Sequence, residues 1–343
     1  MLKERDYLFD NIKALLIISV VTAHYFRVSG DFAVGSAPRV IYIIAFSYIM
    51  QGFFFISGYF SKNVDKCRRG AFKNFIIPYL LFCVLVFGER YLLYGNAHLH
   101  LLRPTFALWF LVAMFVYRFL IKDMARIPFL LPAAAVLYLA AGLIPVLDQD
   151  YSLGRLASFL VFYLAGFKCS VETIEKIRRI PKVLTFLLLA VLTGICIAEG
   201  FMDINMESYL MRRPISEYGV TAPDYLLTRG QLLVEAAGWI VVFINLMPRK
   251  RTSLSGLGQR TMTVYLLHIF IRNLLKFYNV PFEGTIWYYL IVVGLVISSL
   301  YLFSRPAVDR AYNRIIDLLY RPFDWVVQLV RKVGTRLTRE WKQ

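Results

Sequence analysis

"DNIKALLIISVVTAH", residues 10–24, decides the fold. It reads as a membrane helix by its apolar content, yet it carries Asp10, Lys13 and His24. Charge inside a bilayer is costly, so ionisable groups in a span face a partner, a cavity or a pathway. An α-helix turns about 100° per residue, which brings Lys13 and His24 back to within roughly 20° of each other. Asp10 lies one turn before Lys13, so the three groups line one face. At about 1.5 Å per residue, Lys13 and His24 are separated by roughly 16 Å along the axis. The spacing predicts a cation near one membrane surface and an imidazole toward the other.

The rest of the chain has the same character. Its 343 residues are 59% hydrophobic, 16% aromatic and only 18% charged. Apolar runs of spanning length recur, which predicts an all-α polytopic membrane protein. Ten spans are expected, over about 8–27, 40–60, 72–88, 105–121, 127–147, 154–170, 183–199, 226–247, 261–279 and 284–304. Strands are not expected, because lipid tolerates only helices and closed barrels. Asp10 and Lys13 interrupt the first run, and no small-residue cleavage site follows His24. The segment therefore reads as a retained span and not as a secretory leader.

The net charge of +17 is a topology signal. With the N-terminus in the cytoplasm, 27 of the 39 lysines and arginines fall in cytoplasmic segments and seven in external ones. That bias fits the positive-inside rule and accounts for the charge without nucleic acid. Cys67, Cys83, Cys169 and Cys196 are scattered and form no close pair, so neither a disulfide framework nor a zinc site is expected. His98 and His100 lack a third ligand nearby, so no metal is expected there either. The span-rich region, 1–304, is followed by a basic tail, 305–343. In the tail, Val326, Leu329, Val330, Val333 and Leu337 recur at helical spacing between basic residues. This predicts a cytoplasmic amphipathic helix on anionic membrane lipid.

The polar face of the first span suits a two-sided reaction. A cation at the inner side holds an anionic donor, and an imidazole at the outer side acts as base toward an acceptor hydroxyl. "KALLIISVVTAH", residues 13–24, resembles the opening helix of the membrane acyltransferase-3 family, especially its fucose 4-O-acetylase-like branch. That pattern is a basic residue, ten intervening residues and a histidine. The family usually has arginine in the first position, and lysine lacks its planar two-pronged donor. "QGFFFISGYFSKN" (51–63), "ALWFLVAMF" (107–115) and "GQRTMTVYLLHIF" (258–270) resemble further family stretches in the same order.

The resemblance implies an integral membrane O-acyltransferase, expected in the bacterial cytoplasmic membrane; the charge bias over ten alternating spans puts both termini in the cytoplasm. It implies acetyl-CoA or another short acyl-CoA as donor, no metal, and an extracytoplasmic or lipid-linked carbohydrate as acceptor. His24 is then the expected general base, with Lys13 and Asp10 as its catalytic partners. Arg68, Arg69 and Lys73, in "KCRRGAFKNFIIPYL" (66–80), are expected to grip the donor phosphates, with Ser57 beside them. Trp109 and His268 are expected at the substrate. The rival reading is a polysaccharide or lipid-linked glycan exporter, in which the same polar face lines a permeation path. No half-to-half repeat is visible in the sequence, as many transporters would carry. None of these features specifies an oligomeric state.

Overall fold

Helix α1 (Leu8–Phe26) runs through the middle of the molecule and is buried along most of its length. The computed structural model describes residues 5–26, 33–147, 150–204, 207–210, 214–217, 219–278 and 285–340, the side chains of residues 207–208 and 326–340 excepted. Among the described residues every regular element is helical. After α1 come α2 (Ala37–Phe46), α3 (Ile49–Tyr59), α4 (Val64–Ala71), α5 (Ile77–Tyr94), α6 (Trp109–Met124), α7 (Leu130–Ala140) and α8 (Leu153–Lys168). There follow α9 (Val171–Arg178), α10 (Lys182–Gly200), α11 (Glu207–Leu210), α12 (Ala222–Leu246), α13 (Ser255–Gln259), α14 (Thr261–Phe277), α15 (Ile286–Phe303) and α16 (Pro306–Glu340).

Six stretches among the described residues are long and apolar enough to cross a membrane: 8–26, 37–59, 64–94, 182–200, 222–246 and 286–303. A seventh is added if α8 and α9, which meet at 92°, count as one broken span. The other expected spans, over 105–121, 127–147 and 261–279, are helical but shorter or less apolar. Polar insertions such as Arg118 and Arg272 explain part of that shortfall. The chain is an all-helical, multi-pass membrane protein.

Two irregularities shape the interior. The second apolar stretch breaks at Ser47 and Tyr48, where the Ser47 hydroxyl donates to the Ile44 carbonyl (2.8 Å). Tyr48 then turns inward to bond Ser19 of α1 (2.8 Å). The third opens into a π turn over Phe72–Ile76, just before Pro78. Proline lacks an N–H and presses on the carbonyl four residues earlier, and a widened turn relieves that conflict.

Asn11 clamps the lysine end of α1. Its side-chain nitrogen donates to the carbonyls of Pro248 (2.8 Å) and Lys250 (3.1 Å). Its oxygen accepts from Thr252 (2.8 Å) and Ser255 (2.6 Å). Helix α16 starts directly after α15. Asp317 on it pairs with Lys73 (2.7 Å), and Phe323 packs near Phe72. The expected apolar stripe over Val326, Leu329, Val330, Val333 and Leu337 lies outside the described side chains.

Candidate active site

The two ends of the polar face on α1 open into two different cavities. His24 lines one of about 260 Å³, together with Phe46, Ile49, Phe106, Trp109, Arg155 and Arg272. Lys13 lines another of about 190 Å³, with Ser57, Phe75, Arg118 and Thr261. Tyr265 lines both. Its hydroxyl donates to the Ala107 carbonyl (2.5 Å), and its ring lies 5.4 Å from that of Phe110. The two chambers therefore stack along α1 with an aromatic partition between them.

The irregular backbone builds both walls. The break in the second apolar stretch brings Phe46, Ile49 and Met50 to the His24 cavity. Phe106 sits at φ +48°, a conformation costly for an aromatic residue. Its ring lies 4.6 Å from the His24 ring and 4.3 Å under the Arg272 guanidinium. Tyr151 and Ser152, also left-handed, turn the chain into α8, which delivers Arg155 over Trp109 (4.6 Å). The π turn delivers Phe75 to the Lys13 cavity.

His24 Nδ1 lies 2.8 Å from His268 Nε2, with the rings nearly parallel. His268 is fully buried, and its Nδ1 lies 3.2 Å from the Val264 carbonyl. A carbonyl only accepts, so His268 Nδ1 carries the hydrogen. In the neutral ring Nε2 is then an acceptor, and His24 Nδ1 donates to it. That places the lone pair of His24 on Nε2. A partner on one ring nitrogen fixes the role of the other in this way.

At the other end, Lys13 pairs with Asp10 (3.0 Å). Asp10 also accepts from Arg5 (2.7 Å) and Gln259 (3.2 Å), and it does not line either cavity. It acts as counter-ion to Lys13. Arg118 stands beside Lys13, with its Nη2 3.2 Å from the Cys67 sulfur and its charge over Phe75.

Arg68, Arg69 and Lys73 lie away from both cavities. Arg68 pairs with Asp123 and donates to the Phe119 carbonyl (2.8 Å). Lys73 holds Asp317, and Arg69 is exposed. Trp109 does line the His24 cavity, whereas His268 stands behind His24, bonded to it. His98 and His100 are exposed.

Sequence reasoning missed Arg118, Arg155, Arg272 and Tyr265 as site residues. Arg118 and Arg272 carried the signal, since each interrupts an apolar run. Glu235, buried on α12, accepts from Gln231 (2.8 Å), which also donates to Glu199 (2.5 Å). Cys196 completes this buried cluster, with its ligand atoms within 4.8 Å of one another.

The helical bundle thus holds His24, backed by His268, at one cavity and Lys13 with Arg118 at a second. The chain belongs to the acyltransferase-3 family: the family's model, described as an acyltransferase domain, matches residues 6–305. It is a membrane acyltransferase. No curated protein and no solved structure matches the chain.

Proposed function

We propose that this protein moves an acetyl or other short acyl group from acyl-CoA to a hydroxyl of an extracytoplasmic or lipid-linked carbohydrate. The observation that carries this is the pair of chambers on one face of α1, with cations in one and the base-ready His24 in the other. In this reading the Lys13 chamber opens toward the cytoplasm and takes the donor arm. Lys13 and Arg118 bind its polar groups, and Ser57 lies beside them. Arg68, Arg69 and Lys73 form the basic surface around the entrance. The thioester passes the Tyr265 partition to reach His24. The topology follows the charge bias: ten spans, both termini cytoplasmic, and α16 lying along the inner surface. The fucose 4-O-acetylase-like pattern of "KALLIISVVTAH" supports a sugar hydroxyl as acceptor.

His24 Nε2 takes the proton of the acceptor hydroxyl. The oxygen attacks the thioester carbonyl, the C–S bond breaks, and the CoA sulfur leaves with that proton. The products are the O-acyl sugar and free CoA. No serine nucleophile is required by this route.

Incubation of membranes with labelled acetyl-CoA tests this, together with mass spectrometry of envelope glycans with and without the gene. The expected result is a gain of one acetyl mass that depends on the chain. Movement of glycan across the membrane without consumption of acyl-CoA would establish the exporter instead. Within the donor chamber, Lys13→Ala and Arg118→Ala are each expected to raise the acetyl-CoA KM by about 10- to 100-fold, the scale of a lost charge-assisted hydrogen bond. The Arg68→Ala, Arg69→Ala double variant is expected to raise it less, because Arg68 already serves Asp123. A larger effect from the double variant would move the phosphate grip to the surface.

A further inference from the structure

The walls of the His24 cavity carry information about the acceptor. Aromatic rings from Phe46, Phe106, Trp109 and Phe159 line it, which suits the apolar face of a sugar ring. Two guanidinium groups line it as well. Arg155 lies over Trp109 at 4.6 Å, and Arg272 lies over Phe106 at 4.3 Å. Among the described lining residues there is no aspartate or glutamate. Neutral carbohydrate is usually held by amide and carboxylate side chains that match its hydroxyls, and these are missing from the described lining. Each arginine lies over an aromatic ring, and cation–π attraction helps hold its fork of donors in place. A guanidinium has five N–H donors, so it serves protein and ligand partners together. Arg155 donates to the Leu210 carbonyl (3.2 Å) and Arg272 to Asn273 (3.3 Å).

From this we infer that the acceptor is an anionic carbohydrate, bearing a carboxylate or phosphate in addition to the hydroxyl that His24 activates. Arg155 and Arg272 bind the anion, and the aromatic walls hold the ring. The two cations then set both the choice of acceptor and the orientation of the hydroxyl toward Nε2. The inference rests on the acyl-transfer reading given above and narrows its acceptor class. A carboxylate would come from a uronic acid residue, and a phosphate from a lipid carrier.

The test uses the full chain in proteoliposomes with labelled acetyl-CoA. Three acceptors are compared: a neutral hexose oligosaccharide, a hexuronate oligosaccharide of equal length, and a polyprenyl-phosphate-linked hexose. Either charged acceptor is expected to exceed the neutral one at least tenfold in kcat/KM, and the one preferred identifies the source of the anion. Arg155→Gln and Arg272→Gln are each expected to raise the KM of the charged acceptor about tenfold while the acetyl-CoA KM stays within twofold. Arg155→Lys and Arg272→Lys are expected to recover part of it. Equal use of the neutral acceptor by the wild type overturns the inference. So does a glutamine-variant defect of the same size on neutral and charged acceptors, or acetyl-CoA hydrolysis without transfer to any of the three. Failure to turn over acetyl-CoA at all would instead remove the acyl-transfer reading beneath it.

Discussion

Replacement of His24 by alanine is expected to lower acyl transfer by about 10²- to 10⁴-fold, the range that general base catalysis supplies. The acetyl-CoA KM should hardly move, because Lys13 and Arg118 lie in the other chamber. The polypeptide should still insert, since His24 is only partly buried and its loss leaves no void in the close-packed part of α1. His268→Ala supplies the companion measurement. It removes the acceptor for His24 Nδ1–H, 2.8 Å away, and with it the reason for the lone pair to sit on Nε2. The expected result is a smaller fall in kcat, about 10- to 100-fold, with a displaced pH profile of kcat/KM. A structural role for His268 would instead lower yield and thermal stability without moving that profile. Full activity in His24→Ala would end the assignment of the base.

The placement of these two histidines shows how far the sequence was legible. Helical periodicity alone put Lys13 and His24 on one face about 16 Å apart, and the structure opens a cavity at each of them. The same arithmetic put Asp10 on that face. It is there, but Arg5 and Gln259 approach it from outside α1 and turn it into a counter-ion. Periodicity fixes the azimuth of a side chain and says nothing of what other elements bring against it. His268 shows the same limit. Its motif marked the span, yet its bond to His24 joins residues 244 positions apart, and no local pattern encodes such a contact. The basic run at 66–73 was visible as charge, but its partners Asp123 and Asp317 come from α6 and α16. The Tyr265 partition was hidden for a different reason: an aromatic residue in an apolar span gives no contrast against its neighbours.

Gly166→Ala is expected to remove most of the folded protein, although it adds a single methyl group. Gly58 on α3 and Gly166 on α8 face each other at a backbone crossing. A Cβ on Gly58 would fall on the carbonyl of Tyr163, and one on Gly166 on the carbonyl of Phe55. Neither obstruction is the end of a flexible side chain, so relief requires the two helices to separate. Small residues permit such close approach between membrane helices, where van der Waals packing and not the hydrophobic effect holds helices together. Overpacking costs about 1–3 kcal/mol where side chains can yield, and rigid backbone places this pair at the upper end or beyond. Separation also displaces Ser57, next to Gly58, which lines the Lys13 cavity, so residual protein should have an altered acetyl-CoA KM. Gly194→Ala on α10 is the counterpart. A Cβ there meets nothing within 4 Å among the described residues, and alanine is the better helix former by about 1 kcal/mol. Thermal melting of the detergent-purified proteins should therefore rank Gly194→Ala at or slightly above wild type and Gly166→Ala far below it. If Gly166→Ala melted with the wild type, the crossing of α3 and α8 would have to be looser than the structure draws it.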